Sequence, residues 1–169
     1  MHRFVIALFV LAGGTAFSAE DPAPVNLLKL TNKLESWRFE EHEGGKGTMK
    51  VDDDAIVFHV DTITGTDWHV QVYQTGLDLK SGTEYTLKFQ MKSPQRRGAH
   101  VIAGIDEEDY HEIGLHEEIY AAPVEFKEYS YTFTASDVAK GKNRIGFVLG
   151  LEKGTAVVKN MTLTQKSAK

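Results

Sequence analysis

Apolar and polar residues alternate along most of this chain, and turn-forming residues interrupt the alternation at short intervals. This period of two predicts β-strands that bury one face. The clearest example is Glu84–Lys92, whose odd-numbered positions are apolar from Tyr85 to Met91 while its even-numbered positions are polar. Only residues 135–140 suggest a single helical turn. The predicted strands are 25–30, 47–51, 55–60, 68–74, 84–92, 100–105, 110–115, 126–134, 143–149 and 156–164.

Short strands at regular intervals, with no long helix between them, predict an all-β fold of antiparallel sheets, either a sandwich or a barrel. The sequence contains no internal repeat and no low-complexity linker. We therefore expect one β domain over residues 25–165, preceded by an extended lead-in at residues 19–24.

The first 18 residues have the layout of a signal peptide. A short basic start containing Arg3 is followed by an apolar run at residues 4–12 that is too short to span a bilayer as an anchor. Small residues at Ala16 and Ser18 fit the −3 and −1 positions of a cleavage site. We expect cleavage after Ser18, no membrane attachment of the mature chain, and a secreted or periplasmic location.

Composition narrows the possible partners and chemistry. The chain has no cysteine, which excludes disulfides, thiolate metal sites and cysteine nucleophiles. Cleavage after residue 18 of 169 leaves 151 residues with 18 Lys+Arg and 24 Asp+Glu, a formal charge of −6. A mildly acidic surface argues against nucleic acid or anionic lipid as a partner. Uncharged ligands remain open.

Strand parity indicates a polar, aromatic surface on the predicted sheets. In the strand at 68–74, Trp68 shares the parity of Val70 and is expected in the core, as is Trp37. The opposite parity carries amide, aromatic and basic side chains, which are suited to stacking on sugar rings and bonding hydroxyls. We predict that this face contains His69, Gln71, Tyr73 and Gln90, with His100 and Arg144 near them.

The centre of the chain resembles the signature of CenC-like carbohydrate-binding modules, the family 4/9/22 type. It reads as a Trp-x-x-Gln strand ending at Gln71, a Leu-x-x-Gly turn ending at Gly82, and a Tyr-x-Leu-x-Phe strand ending at Phe89. Flanking motifs agree in order. They are Asn26-Leu27-Leu28 followed by Trp37, Phe126-x-x-Tyr129-x-Tyr131-x-Phe133-Thr134, Phe147-Val148-Leu149-Gly150, and residues 158–163.

This resemblance implies a galactose-binding-like jelly roll, a β-sandwich of two antiparallel sheets, with a poly- or oligosaccharide bound on a concave sheet face. It places Gln71 on the signature glutamine of the family. Many members also hold a structural calcium near the last strand, where this chain has Lys159 and Asn160. A lysine cannot ligate Ca²⁺, so the calcium remains open and no other cofactor is expected. We expect a stand-alone, non-catalytic module.

Two other functions stay open. The same sandwich could bind a protein, either a separate secreted enzyme or an envelope component, and a broad, flat, apolar surface would favour that function. A small glycoside hydrolase would need a pair of carboxylates in a cleft, and no pair stands out in the sequence. The segment His111–His116 superficially resembles a zinc protease motif, but its histidines are five residues apart instead of four.

Overall fold

In the computed structural model, which describes residues 24–166, the chain forms ten strands and two short 3-10 helices. The 3-10 helices span Leu34–Ser36 and Asp67–His69. The strands are β1 (Arg38–Glu41), β2 (Lys46–Asp52), β3 (Ala55–Thr62), β4 (Val70–Leu77), β5 (Glu84–Lys92), β6 (Ala99–Ile105), β7 (Glu112–Ile119), β8 (Lys127–Thr134), β9 (Asn143–Val148) and β10 (Gly154–Gln165).

The strands form two five-stranded sheets in which every paired neighbour is antiparallel. The front sheet has the order β1-β4-β9-β6-β7, and the back sheet has the order β2-β3-β10-β5-β8. The all-β sandwich predicted from the alternation, and specified by the resemblance as a jelly roll, is confirmed.

The two sheets pack face to face through large aromatic side chains. Phe147 of the front sheet contacts Phe89 of the back sheet edge-on, with ring centroids 5.1 Å apart. The indole of Trp37 packs edge-on against Phe58 of the back sheet at 5.2 Å. All four rings are at most 7% exposed. Because inward side chains alternate with outward ones, this core leaves every second residue of the front sheet on its outer face.

Two expected elements are not formed as predicted, and one strand was not expected. The strand at residues 25–30 is reduced to one bridge between Asn26 and Thr164, and the helical turn at residues 135–140 does not form. The strand β1 was not predicted, because the short polar edge segment Arg38–Glu41 contains a single apolar residue. The predicted signal peptide and most of the lead-in lie outside the described residues.

Candidate functional site

The outer face of the front sheet presents side chains in rows that cross the strands. One row runs from Glu40 through Gln71 and Val148 to His100. Successive rows along a strand are two residues apart, about 7 Å. The face is therefore a regular grid of side chains set by strand register.

The second row places Arg38 opposite Tyr73, then Gly146, Ile102 and His116. The third sets Arg144 opposite Gly104, which in turn pairs with Glu112. Glycines stand at the middle of both rows, where a Cβ at Gly146 would meet the carbonyl oxygen of Val72 and a Cβ at Gly104 that of His111.

A cleft of about 950 Å³ lies over this grid and receives side chains from all five strands of the front sheet. Its ends are formed by the Asp67–His69 helix and by the loop between β6 and β7. The residues that line it are Arg38, Glu40, His42, Asp67, Trp68, Gln71, Tyr73, Ile102, Asp106, Tyr110, Glu112, His116, Arg144 and Val148.

A hydrogen-bonded network centred on Glu40 fixes one wall of the cleft. The Nε of Arg38 lies 2.6 Å from Glu40 Oε1, and the side-chain amide of Gln71 donates to Glu40 Oε2 at 2.7 Å. The hydroxyl of Tyr73 donates to Gln71 Oε1 at 2.9 Å. Burial raises the pKa of Tyr73 to about 12, so this phenol keeps its proton and its donor role.

The guanidinium of Arg38 also bridges the cleft wall to Asp106, which follows β6. It donates to both carboxylate oxygens, at 2.7 Å in one of the two bonds. Hydrogen bonding to Arg38 holds the pKa of Asp106 below its usual value, and the bond to Asp106 raises the pKa of Arg38. Both groups are therefore ionised near neutral pH.

Two exposed aromatic side chains stand at the ends of the cleft. Trp68, in the Asp67–His69 helix, is 46% exposed, and Tyr110, in the β6–β7 loop, is 58% exposed. The ring of His42 lies 5.4 Å from that of Trp68. Exposed aromatic rings beside hydrogen-bonding groups are suited to stacking on apolar ligand faces.

The prediction that Trp68 is a core residue is wrong, whereas Trp37 is buried as predicted. The alternation was extended backwards from Val70 through a segment that is a 3-10 helix and not a strand. The same error affects His69, which was expected on the polar face. Its side chain is buried and its Nδ1 makes a hydrogen bond with Thr64 Oγ1, away from the cleft lining.

Of the other predicted site residues, Gln71, Tyr73 and Arg144 are brought together in the cleft. His100 lies beside it on the same face, with its ring tilted against that of His116 at a centroid distance of 5.1 Å. Its Nδ1 is 3.1 Å from Asp67 Oδ2 but lacks hydrogen-bond geometry.

Gln90 does not share this face, and the expectation that it does is wrong. It lies on β5 of the back sheet, where its amide oxygen accepts a hydrogen bond from Asn160 Nδ2 at 3.3 Å. Alternation identifies the outward residues of a strand but does not say to which sheet the strand belongs.

Several cleft residues were missed because their segment was not recognised as a strand. Arg38 and Glu40 have the same parity on β1, and this i, i+2 spacing was the available signal. Asp106 offered no such signal, because its bond to Arg38 brings together residues 68 positions apart.

The region that the resemblance links to calcium does not fit that ion here. The ammonium of Lys159 lies 3.0 Å from Asp54 Oδ2 and 4.5 Å from the centroid of the Phe126 ring. A cation already occupies the position beside that carboxylate, and Ca²⁺ needs six or more oxygens. Within residues 24–166, no three His, Cys, Asp or Glu side chains are grouped so as to hold a metal ion.

The sequence also identifies the family. Residues 19–153 match the model of the carbohydrate binding domain family that groups families 4 and 9. The chain therefore belongs to this family, and the resemblance drawn from its motifs is confirmed. No curated protein matches the chain.

Solved structures share the fold at low sequence identity. A CBM4 structure superposes with a TM-score of 0.71 at 18% identity, covering 83% of this chain and 93% of that one. The second N-terminal cellulose-binding domain of Cellulomonas fimi β-1,4-glucanase C gives 0.65 at 16% identity, with 89% and 100% covered. The CBM22-1 xylan-binding domain from Paenibacillus barcinonensis gives 0.56 at 8%, with 87% and 98% covered.

The described residues also contain no helix long and apolar enough to cross a membrane.

Proposed function

We propose that the protein is a secreted, non-catalytic carbohydrate-binding module that binds a poly- or oligosaccharide in the cleft of the front sheet. The observation that carries this proposal is the cleft itself, which combines exposed rings at Trp68 and Tyr110 with a floor of fixed hydrogen-bonding groups. Sugar rings offer C–H faces for stacking and hydroxyls for hydrogen bonds.

The shape and polarity of the surface support a sugar over a protein partner. A broad, flat and apolar exposed patch would favour a protein partner. The face that carries Gln71 and Tyr73 is instead a cleft in which charged, amide and imidazole side chains are mixed with aromatic rings.

The contacts of the two cleft carboxylates that pair with Arg38 support a binding role over hydrolysis. A glycosidase needs one carboxylic acid with a raised pKa to protonate the leaving group. The pKa of Asp106 is lowered by Arg38, and Glu40 accepts hydrogen bonds from Gln71 while paired with Arg38. Neither group is set up as a general acid.

Binding is tested by calorimetry or affinity electrophoresis with soluble cello-oligosaccharides, xylan and other soluble glycans. Cellulose and xylan are included because solved neighbours are described as binding domains for them. We expect Trp68→Ala to weaken binding by about tenfold or more, because it removes an exposed indole ring on which the sugar would stack.

The matched control is Tyr120→Ala, which removes an exposed aromatic ring that does not line the cleft. It should bind like the unchanged protein. Absence of binding to any glycan by the folded protein would refute the proposed function, and equal losses in both variants would refute the cleft as its site.

Secretion is the part of this proposal that rests on residues 1–18. Their basic start, apolar run and small residues fit export and cleavage. Protein recovered from outside the producing cells should begin at Ala19 on N-terminal sequencing. Recovery of a chain that still begins at Met1 in the cell interior would contradict export.

A further inference from the structure

Arg144 is a buried cation in the floor of the cleft, within cation–π distance of two aromatic rings. Its side chain is on β9 in the middle of the front sheet, and the residue is only 7% exposed. The guanidinium carbon lies 4.1 Å from the ring centroid of Tyr73 and 5.1 Å from that of Tyr110. Stacking on tyrosine occupies the flat faces of a guanidinium and leaves its N–H edge for hydrogen bonds.

The nearest protein acceptor does not satisfy this edge. Glu40 Oε2 is 3.6 Å from Arg144 Nη1, which is longer than a hydrogen bond. The same oxygen already accepts from Gln71 at 2.7 Å, while Glu40 Oε1 is paired with Arg38. The Nε of Arg144 is buried with no hydrogen-bond partner among the described residues.

The other cleft arginine differs in this respect. Arg38 makes two hydrogen bonds to Asp106 and a close ion pair with Glu40. Its donors are taken up by the protein, whereas Arg144 lines the cleft with its buried Nε unpaired among the described residues. A buried cation without a hydrogen-bonded counter-ion is costly, so an incoming anion is favoured there.

We propose that the cleft recognises an acidic glycan, and that a uronic acid carboxylate of that glycan accepts hydrogen bonds from Arg144. This inference rests on the proposed function, because it names the class of sugar bound at the same site. A carboxylate is the acceptor whose planar, two-oxygen geometry matches the guanidinium edge. A single sugar hydroxyl would supply neither that geometry nor the charge.

The acidic character of the whole chain does not oppose this contact. The charges of Arg38 and Arg144 are balanced by those of Glu40 and Asp106, and the two further carboxylates that line the cleft, Asp67 and Glu112, lie beside His100 and His116. More distant exposed charges are screened over roughly 8 Å at physiological ionic strength.

The test compares one polysaccharide in two chemical forms, glucuronoxylan and the same polymer after its carboxyl groups have been reduced to alcohols. Polygalacturonate serves as a second acidic probe. We expect the unchanged protein to bind at least one acidic probe about tenfold or more tightly than its reduced form, the size of a charge-assisted hydrogen bond. The preference should fall as salt is added.

Three variants assign the preference to Arg144. Arg144→Gln should bind acidic and reduced polymers equally, and Arg144→Lys should recover only part of the preference because it keeps the charge without the two-pronged edge. Lys88→Gln is the matched control. It removes one positive charge from an exposed position on β5 of the back sheet and should keep the full preference.

Equal binding of acidic and reduced glycans by the unchanged protein would overturn this inference while leaving the proposed function intact. That comparison needs no variant, so it remains decisive even if Arg144→Gln fails to fold. Binding to no glycan at all would overturn both. A preference that survives in folded Arg144→Gln would refute the assignment to Arg144.

Discussion

Glu40 is the residue that connects most of the polar groups in the cleft. It pairs with Arg38, accepts from Gln71 and lies 3.6 Å from Arg144. Gln71 in turn accepts from Tyr73, so one carboxylate fixes the orientation of side chains from β1 and β4. Groups that are ordered before a ligand arrives lose little entropy when it binds, which favours affinity.

The bond between Arg38 and Asp106 predicts how stability depends on pH. Its effect is to lower the pKa of Asp106 in the folded protein below the value of about 3.9 in the unfolded chain. The unfolded state therefore binds more protons in the window between these two values. The stabilisation is fully present above the unfolded pKa and is lost as pH falls through the folded pKa.

We expect Asp106→Asn to destabilise the protein at pH 7 by only about 0.5 to 1 kcal/mol, because Arg38 is partly exposed and solvent screens the pair. The difference from the unchanged protein should shrink below pH 4, as measured by urea unfolding over a pH series. Asp52→Asn, at an exposed position on β2, is the control and should show no such convergence. A gap for Asp106→Asn that stays constant down to pH 2 would contradict the assignment.

At the scale of elements, parity was informative only where the strand itself was correctly bounded. Gln71 and Tyr73 lie on β4, and the alternation placed both of them on the outer face. The residues just before β4 form the Asp67–His69 helix. There Trp68, expected in the core, is exposed, and His69, expected on the outer face, is buried. Side chains repeat about every three residues in a 3-10 helix but every two residues in a strand. The residues Asp-Trp-His give no sequence signal of this change.

The assembly of strands into sheets was beyond the reach of the sequence pattern. The strand Glu84–Lys92 was predicted with its exact bounds and the correct inward face, yet Gln90 was assigned to the wrong surface. Which strands share a sheet depends on pairings between distant segments, such as β9 with β4 and β6. The family motifs specified the sandwich because they describe the whole chain, but they do not specify the contacts of Arg144 or Asp106.

At the scale of the whole molecule, Arg97 ties together two of the connections between the sheets. It lies between β5 of the back sheet and β6 of the front sheet. Its guanidinium donates to the carbonyl oxygens of Leu149 and Gly154, which are on the return from β9 to β10, and to that of Gly98. Only 2% of the residue is exposed. Burial lowers its pKa to about 10, which leaves it protonated near neutral pH.

Replacing this side chain should therefore weaken the sandwich as a unit. We expect Arg97→Met to cost about 3 kcal/mol of unfolding free energy, because it keeps most of the buried volume but leaves backbone carbonyls without their donor. Denaturant unfolding followed by tryptophan fluorescence measures this directly, since buried Trp37 reports on the core. Without any cysteine in the chain, the result should be the same with or without reductant.

The neighbouring Arg96 supplies the comparison that separates the hydrogen bonds from the charge. Its side chain is exposed, so Arg96→Gln removes the same charge from the same loop and should change stability by less than about 0.5 kcal/mol. Arg97→Lys keeps the charge, but its ammonium group cannot donate to three carbonyl oxygens as the planar guanidinium does. Its loss of unfolding free energy should therefore lie between those of Arg97→Met and Arg96→Gln. If Arg97→Met and Arg96→Gln unfold at the same denaturant concentration, the two connections are held by packing alone and Arg97 does not tie them.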